Sequence, residues 1–230
     1  MQTTEVGRWR FKGPEMEGAI ARWYAGIRGS ERQIEVYRGQ AAQLTGGLRT
    51  GSSVLEVAPG PGYLAIEIAR LARFEVTGLD ISRTFVEIAG GNASKAGVTV
   101  AFRQGDATEM PFDDGSFDLV VCQAAFKNFA RPNSAISEMY RVLKAGGSAV
   151  IDDMSREATH TDIAEEVRRM GLGRVSSLTT TATLEMLRRR AYSRAQFELL
   201  AQASPFRTCR ITTAGIGIRM LLAKREVAVA

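Results

Sequence analysis

The chain has 230 residues, 45% of them hydrophobic and 24% charged, the balance of a globular domain long enough to bury a core without disulfides or a structural metal. No apolar run approaches the roughly 20 residues of a membrane-spanning helix. Lys and Arg number 30 against 25 Asp and Glu, a formal charge of +5; the excess is diffuse, and the one local run, Arg188, Arg189 and Arg190, reads as a solvated helix face. Met1 to Trp9 shows neither an apolar signal region nor a small-residue cleavage site, so the expectation is a cytoplasmic protein. Cys122 and Cys209 fall in apolar β-like runs and read as buried reduced thiols.

The first 50 residues predict helices over Met16 to Tyr24 and Glu31 to Leu48, the second with Ser30 as its N-cap. From Ser53 onward short apolar runs alternate with amphipathic stretches, the pattern of a parallel sheet covered on both faces. Strands are predicted at Ser53 to Ala58, Phe74 to Asp80, Val98 to Gln104, Phe117 to Cys122 and Ser148 to Asp152, with helices at Gly62 to Leu71, Arg83 to Ala96 and Pro132 to Leu143. Residues 155–192 are polar and Thr-rich, with helical pieces near Asp162 to Met170 and Thr183 to Arg190, and read as a lid. Ser193 caps a last helix to about Ala203, and Phe206 to Thr213 and Ile216 to Lys224, joined at Ala214-Gly215, form an antiparallel hairpin. The whole is read as one domain over 1–230: a helical cap to 50, a ligand-binding core over 51–154, the lid, and the terminal helix and hairpin over 193–230.

The most informative segment is Val54 to Tyr63, a buried strand running into Ala58-Pro59-Gly60-Pro61-Gly62 and then a helix. Gly60 and Gly62 remove the Cβ atoms that would keep backbone from a ligand, and the prolines stiffen the turn. Gly60 to Ala65 also fits the dinucleotide fingerprint G-x-G-x-x-A, with Asp80 at about the expected 20 residues beyond, so a nicotinamide oxidoreductase is a rival reading. A nicotinamide dinucleotide or an adenosyl amino acid could each give its ribose hydroxyls to Asp80. Two further acids separate the readings. Asp106, past the third strand, can accept from an adenine amine while a neighbouring amide meets the ring, and Glu56, before the glycines, suits a cationic amino acid tail and repels a pyrophosphate.

These pieces, with Val76 to Ser82, Gly105-Asp106-Ala107, Met110 to Asp118 and Arg141 to Gly147, resemble the class I methyltransferases that use S-adenosylmethionine, most of all the ubiquinone/menaquinone-biosynthesis type. The resemblance implies a Rossmann-like α/β fold, a doubly wound seven-stranded sheet of order 3-2-1-4-5-7-6 with the last strand antiparallel. It further implies that Glu56, Ala58, Gly60 and Gly62 face the methionine moiety, Asp80 the ribose, and Asp106 and Ala107 the adenine. Ile81 and Met110 would sandwich the base, Cys122 and Gln123 would offer backbone to the amino group, and Tyr24 and Trp23 would pack over the cofactor. Ala58 stands where the family usually has its first glycine.

Methyl transfer by in-line displacement, leaving S-adenosylhomocysteine, needs an acceptor held on axis and out of water rather than a covalent protein intermediate. Candidates for a base or for positioning the acceptor are His160, the only histidine, Asp152 at the end of the fifth strand, and Asn128. Asn128 falls in Phe126-Lys127-Asn128-Phe129, which resembles an arginine-asparagine-phenylalanine stretch of the quinone-type enzymes. No metal is expected, because the fourth strand ends in Cys122-Gln123 without an acid. The expected partner is a small-molecule acceptor rather than nucleic acid, in a chain compatible with a homodimer. A third reading is a methyltransferase-fold protein that binds the cofactor without transferring a methyl group.

Overall fold

The computed structural model describes residues 16–225; the reading made of Met1 to Trp9 lies outside them. Seven strands form one sheet: β1 (Ser53–Val57), β2 (Glu75–Asp80), β3 (Ala101–Gln104), β4 (Phe117–Gln123), β5 (Leu143–Met154), β6 (Arg210–Ala214) and β7 (Gly217–Ala223). Their order is β3-β2-β1-β4-β5-β7-β6. The first five are parallel, and β7 is antiparallel to both β5 and β6. The helices are α1 (Gly18–Arg28), α2 (Glu31–Thr45), α3 (Tyr63–Ala69), α4 (Arg83–Ala96), α5 (Pro132–Val142), α6 (His160–Met170), α7 (Arg174–Arg188) and α8 (Arg194–Ala203). Among the described residues no helix is long and apolar enough to cross a membrane.

Strand alternation divides the core. Leu55 and Val57 point to the face that also buries Val120, Cys122, Ile136 and Phe197, whereas Val54 points to the opposite face with Leu64, Ile68, Tyr37 and Ala41. Side chains in a strand point to alternate faces, so Glu56 shares the second face with Val54. There it lies under α3 and accepts a hydrogen bond from the Ala65 amide at 2.8 Å.

Several boundaries differ from the sequence reading for identifiable reasons. β5 begins at Leu143 rather than Ser148, because Gly146 and Gly147, which look like a turn, exchange backbone hydrogen bonds with Lys224. α7 begins a full two turns before the predicted Thr183. The hydroxyls of Thr179, Thr181 and Thr183 return to the carbonyls of Val175, Ser177 and Thr179, so the threonines ride on the helix instead of breaking it. The predicted lid is thus two packed helices. Ser30 occupies the N-cap position of α2 but makes no side-chain capping bond, and α2 stops at Thr45. β6 starts only at Arg210, after Arg207 in a left-handed conformation, and the hairpin turn is Gly215-Ile216. Cys122 is buried and Cys209 half-buried, both as free thiols.

Ser193 forms a full capping box with Gln196 at the start of α8. Since α8 holds Phe197 in the core, Ser193→Ala is expected to cost about 1 kcal/mol, read as a shift in the urea unfolding midpoint without a change in its slope.

Candidate functional site

The carboxyl ends of β1, β2, β3 and β4 open into one cavity of about 770 Å³, closed over by α1, by Tyr37 of α2 and by Thr183, Met186, Leu187 and Arg190 at the end of α7. This is the edge where a doubly wound sheet places its ligands. The turn after β1 reaches the wall through Ala58, Pro59 and Gly60. Ala58 adopts φ +57°, the left-handed region that glycine occupies at no steric cost. The turn therefore keeps its shape without the usual glycine, anchored by the Ala58 amide on the Leu79 carbonyl at 2.8 Å.

Asp80 ends β2 almost fully buried. One carboxylate oxygen accepts the Gly60 amide and the other the Ser82 amide, each at 2.9 Å. The glycine turn and the start of α4 thus fix the carboxylate's orientation while each oxygen keeps a further lone pair for a ligand. Burial pushes the Asp80 carboxyl up to about 6, against the lowering effect of the Ser82 and Gly60 amides. Glu56, also on the wall, is pushed up to about 8, chiefly by burial, with repulsion from Asp80 adding to it and the Ala65 amide opposing it. An acid whose value is raised in the folded chain favours folding at low pH and loses that contribution as pH climbs. For Glu56 the loss runs from its ordinary 4.5 to about 8.

Asp106 follows β3 on the same wall, next to Ala107. It accepts from the Thr108 amide at 2.8 Å and pairs with Arg131 at 3.3 Å. Ile81, Gln123, Asn128 and Tyr24 also line the cavity, as does Trp23, 68% exposed. Tyr24 meets Phe85 edge-on at a ring separation of 6.0 Å.

Five of the residues named from sequence are placed elsewhere. Gly62 caps α3 at φ +80°, and a Cβ there would lie 2.7 Å from Phe102 and 2.8 Å from Ala89. It serves the close approach of α3, β3 and α4 rather than the cavity wall. Met110 is buried in the core, its amide on Glu138 and its carbonyl on Arg141. Cys122 is wholly buried on the core face of β4, where burial drives its thiol up. His160 starts α6 with its side chain 81% exposed and paired with Glu185, away from the cavity wall. Asp152 accepts a two-pronged bond from Arg219 across the β5–β7 ladder, at 2.6 Å for each prong, so its charge is consumed in holding two strands together. Neither base candidate, His160 nor Asp152, is on the cavity wall.

The structure adds residues that sequence reasoning missed. Glu17 lies on the wall and accepts the amides of Arg83 and Thr84 at 3.0 and 3.1 Å, fastening the start of α1 to the start of α4. Burial would raise its carboxyl, but these bonds hold it below its ordinary value. Tyr37 and Tyr63 stack at 6.1 Å on the wall near Glu56; burial pushes the Tyr37 phenol up to about 12, and its oxygen accepts from Arg28.

Residues 55–151 match the family described as Methyltransferase domain. A demethylmenaquinone methyltransferase of Deinococcus radiodurans is 38% identical over 99 residues, 43% of this chain and 41% of that protein. A ubiquinone/menaquinone biosynthesis C-methyltransferase of Bdellovibrio bacteriovorus is 34% identical over 106 residues, 46% of this chain and 45% of that one. The chain thus matches less than half the length of these curated relatives. Among solved structures, a candidate S-adenosyl-L-methionine-dependent methyltransferase of Methanococcus maripaludis superposes with a TM-score of 0.75 at 21% identity, covering 95% of this chain and 98% of that one. Over residues 55–151 the chain matches this methyltransferase domain, and over its core, with strand order β3-β2-β1-β4-β5-β7-β6, it is similar to the class I methyltransferases of the ubiquinone/menaquinone-biosynthesis type.

Proposed function

We propose that the chain binds S-adenosylmethionine and transfers its methyl group to a small-molecule acceptor. The observation that carries this reading is the convergence of Glu56, Asp80 and Asp106, from the ends of three neighbouring strands, on one cavity. Glu56 is buried and makes no ion pair among the described residues, which fits it to receive a ligand's ammonium group. Asp80, oriented by two amides, fits a vicinal diol, and Asp106 with Ala107 fits the edge of an adenine. A dinucleotide would instead bring its pyrophosphate to a turn that follows Glu56 and rests on Asp80, so the oxidoreductase reading is disfavoured.

When bound, the cofactor supplies a methyl group on a sulfonium, an electrophile that needs no covalent help from the protein. The chain's own residues do the rest. Glu56 and Asp106 hold the two ends of the nucleoside amino acid and Asp80 its ribose, Ile81 covers the base, and α1 with the end of α7 keeps water from the reacting centre. Asn128 is on hand to orient the acceptor.

Proton linkage makes the proposal testable. A cation beside Glu56 favours its ionised form, so binding below about pH 8 releases a proton. Titration calorimetry with S-adenosylmethionine is expected to show affinity rising from about pH 6 to about pH 7.5, and heats that differ between phosphate and Tris buffers in proportion to that proton. Absence of binding at about 1 mM ligand overturns the proposal.

A further inference from the structure

Beside the main cavity lies a second opening of about 470 Å³, whose wall includes Lys127, Arg156, Arg189, Arg190, Tyr192 and Gln196 and no carboxylate. Lys127 and Arg190 line both spaces, so the two adjoin. Of the other arginines on the main cavity wall, Arg131 is engaged by Asp106 and Thr108, and Arg28 donates to the Tyr37 hydroxyl. Their neighbours Arg188 and Arg219 pair with Glu185 and Asp152, and Lys127 is held by Asp153. Arg156, Arg189 and Arg190 are exposed and have no side-chain hydrogen bond or ion pair among the described residues.

These three do not dangle from loose chain. The Arg156 amide donates to the Tyr192 carbonyl at 3.0 Å, Ser155 bridges Tyr192, and the Ala191 amide is shared by the Leu187 and Arg188 carbonyls. The segment after β5 and the end of α7 are therefore pinned side by side, which brings three guanidinium groups to the rim of one opening. Their mutual repulsion is relieved by an anion, and their planar forks match the oxygens of a carboxylate or phosphate. Along the main cavity, in contrast, α1 and α7 present apolar surface that is open to solvent, Trp23 at 68% and Met186 at 51% exposure.

We propose that the methyl acceptor is an anionic amphiphile whose carboxylate or phosphate is held by Arg156, Arg189 and Arg190, with its apolar body passing Arg190 into the main cavity along Trp23 and Met186. This assignment rests on the methyl-transfer reading. It gives the arginine run a binding duty in place of a merely solvated one, and it sorts the two ligands by charge: acids hold the cationic cofactor, arginines the anionic acceptor.

The test is calorimetry on the full chain saturated with S-adenosylhomocysteine, titrated with phenyl phosphate, benzoate and benzyl alcohol. At least one of the two anions is expected to bind about tenfold or more tightly than the alcohol, the stronger one naming the acceptor's acidic group. The double variant R189Q/R190Q is expected to lose about tenfold or more for that anion, R189K/R190K to recover part of it, and neither to change affinity for the alcohol or for S-adenosylhomocysteine. Equal binding of anions and alcohol, or an unchanged anion affinity in R189Q/R190Q, overturns the acceptor assignment while leaving the methyltransferase reading intact. Failure of S-adenosylhomocysteine itself to bind overturns both.

Discussion

Asp80→Ala is expected to weaken binding of S-adenosylhomocysteine by about a hundredfold, the loss of two hydrogen bonds to a charged acceptor at about 1.5–3 kcal/mol each, partly offset by water entering the site. The same carboxylate also holds the Gly60 and Ser82 amides, so the substitution releases the glycine turn along with the ligand. Asp80→Asn separates the two effects. Its amide oxygen can keep one of the backbone donors while the formal charge is gone, and an intermediate loss of about tenfold is expected. The measurement is a calorimetric titration at a pH above about 6, where the wild-type carboxylate is ionised. An Asp80→Ala affinity within about threefold of wild type contradicts the assignment of this residue to the ribose.

The largest effect on stability is expected at Asp153. Its carboxylate receives the Lys127 ammonium at 2.7 Å, the Lys127 amide at 2.9 Å and the Met154 amide at 2.7 Å, and the side chains of the pair are only 6% and 1% exposed. Asp153→Ala leaves a buried ammonium with only the Ala124 carbonyl to accept from it, a loss of about 3–5 kcal/mol by chemical unfolding. Because the attraction between two buried charges is largely spent on their desolvation, the double variant K127M/D153L should be markedly more stable than D153A. A double variant no better than the single one shows that the surrounding hydrogen bonds, rather than the unpaired charge, set the cost.

The legible parts of the site were those in which one short stretch carries both the strand and the functional group. The β1 turn, Asp80 and Asp106 each follow directly on an apolar run, so period and position together pointed to the ligand edge. Glu17, Tyr37 and Arg190 carry no such signature. They reach the cavity from helices whose placement depends on tertiary contacts, as when Glu17 caps α4 across a gap of 66 residues. The two base candidates that lie off the cavity wall share a cause. His160 and Asp152 look unengaged in sequence because their partners, Glu185 and Arg219, lie far along the chain. In the fold, strand boundaries slipped where glycines joined a ladder, as at Gly146 and Gly147, and the length of α7 was hidden by threonines whose hydroxyls bond back onto their own helix.

The position of β7 carries a consequence for synthesis. It is made after the other six strands of the sheet, yet it lies between β5 and β6, joined to the first over Ser148 to Met154 and to the second over Arg210 to Ala214. Until residue 223 has emerged, β5 presents an unpaired edge to its surroundings and β6 has no neighbour at all. The nascent chain therefore carries an unfinished sheet from the end of β5 at Met154 to the end of β7 at Ala223, and its closing step is the insertion of one strand into a waiting slot.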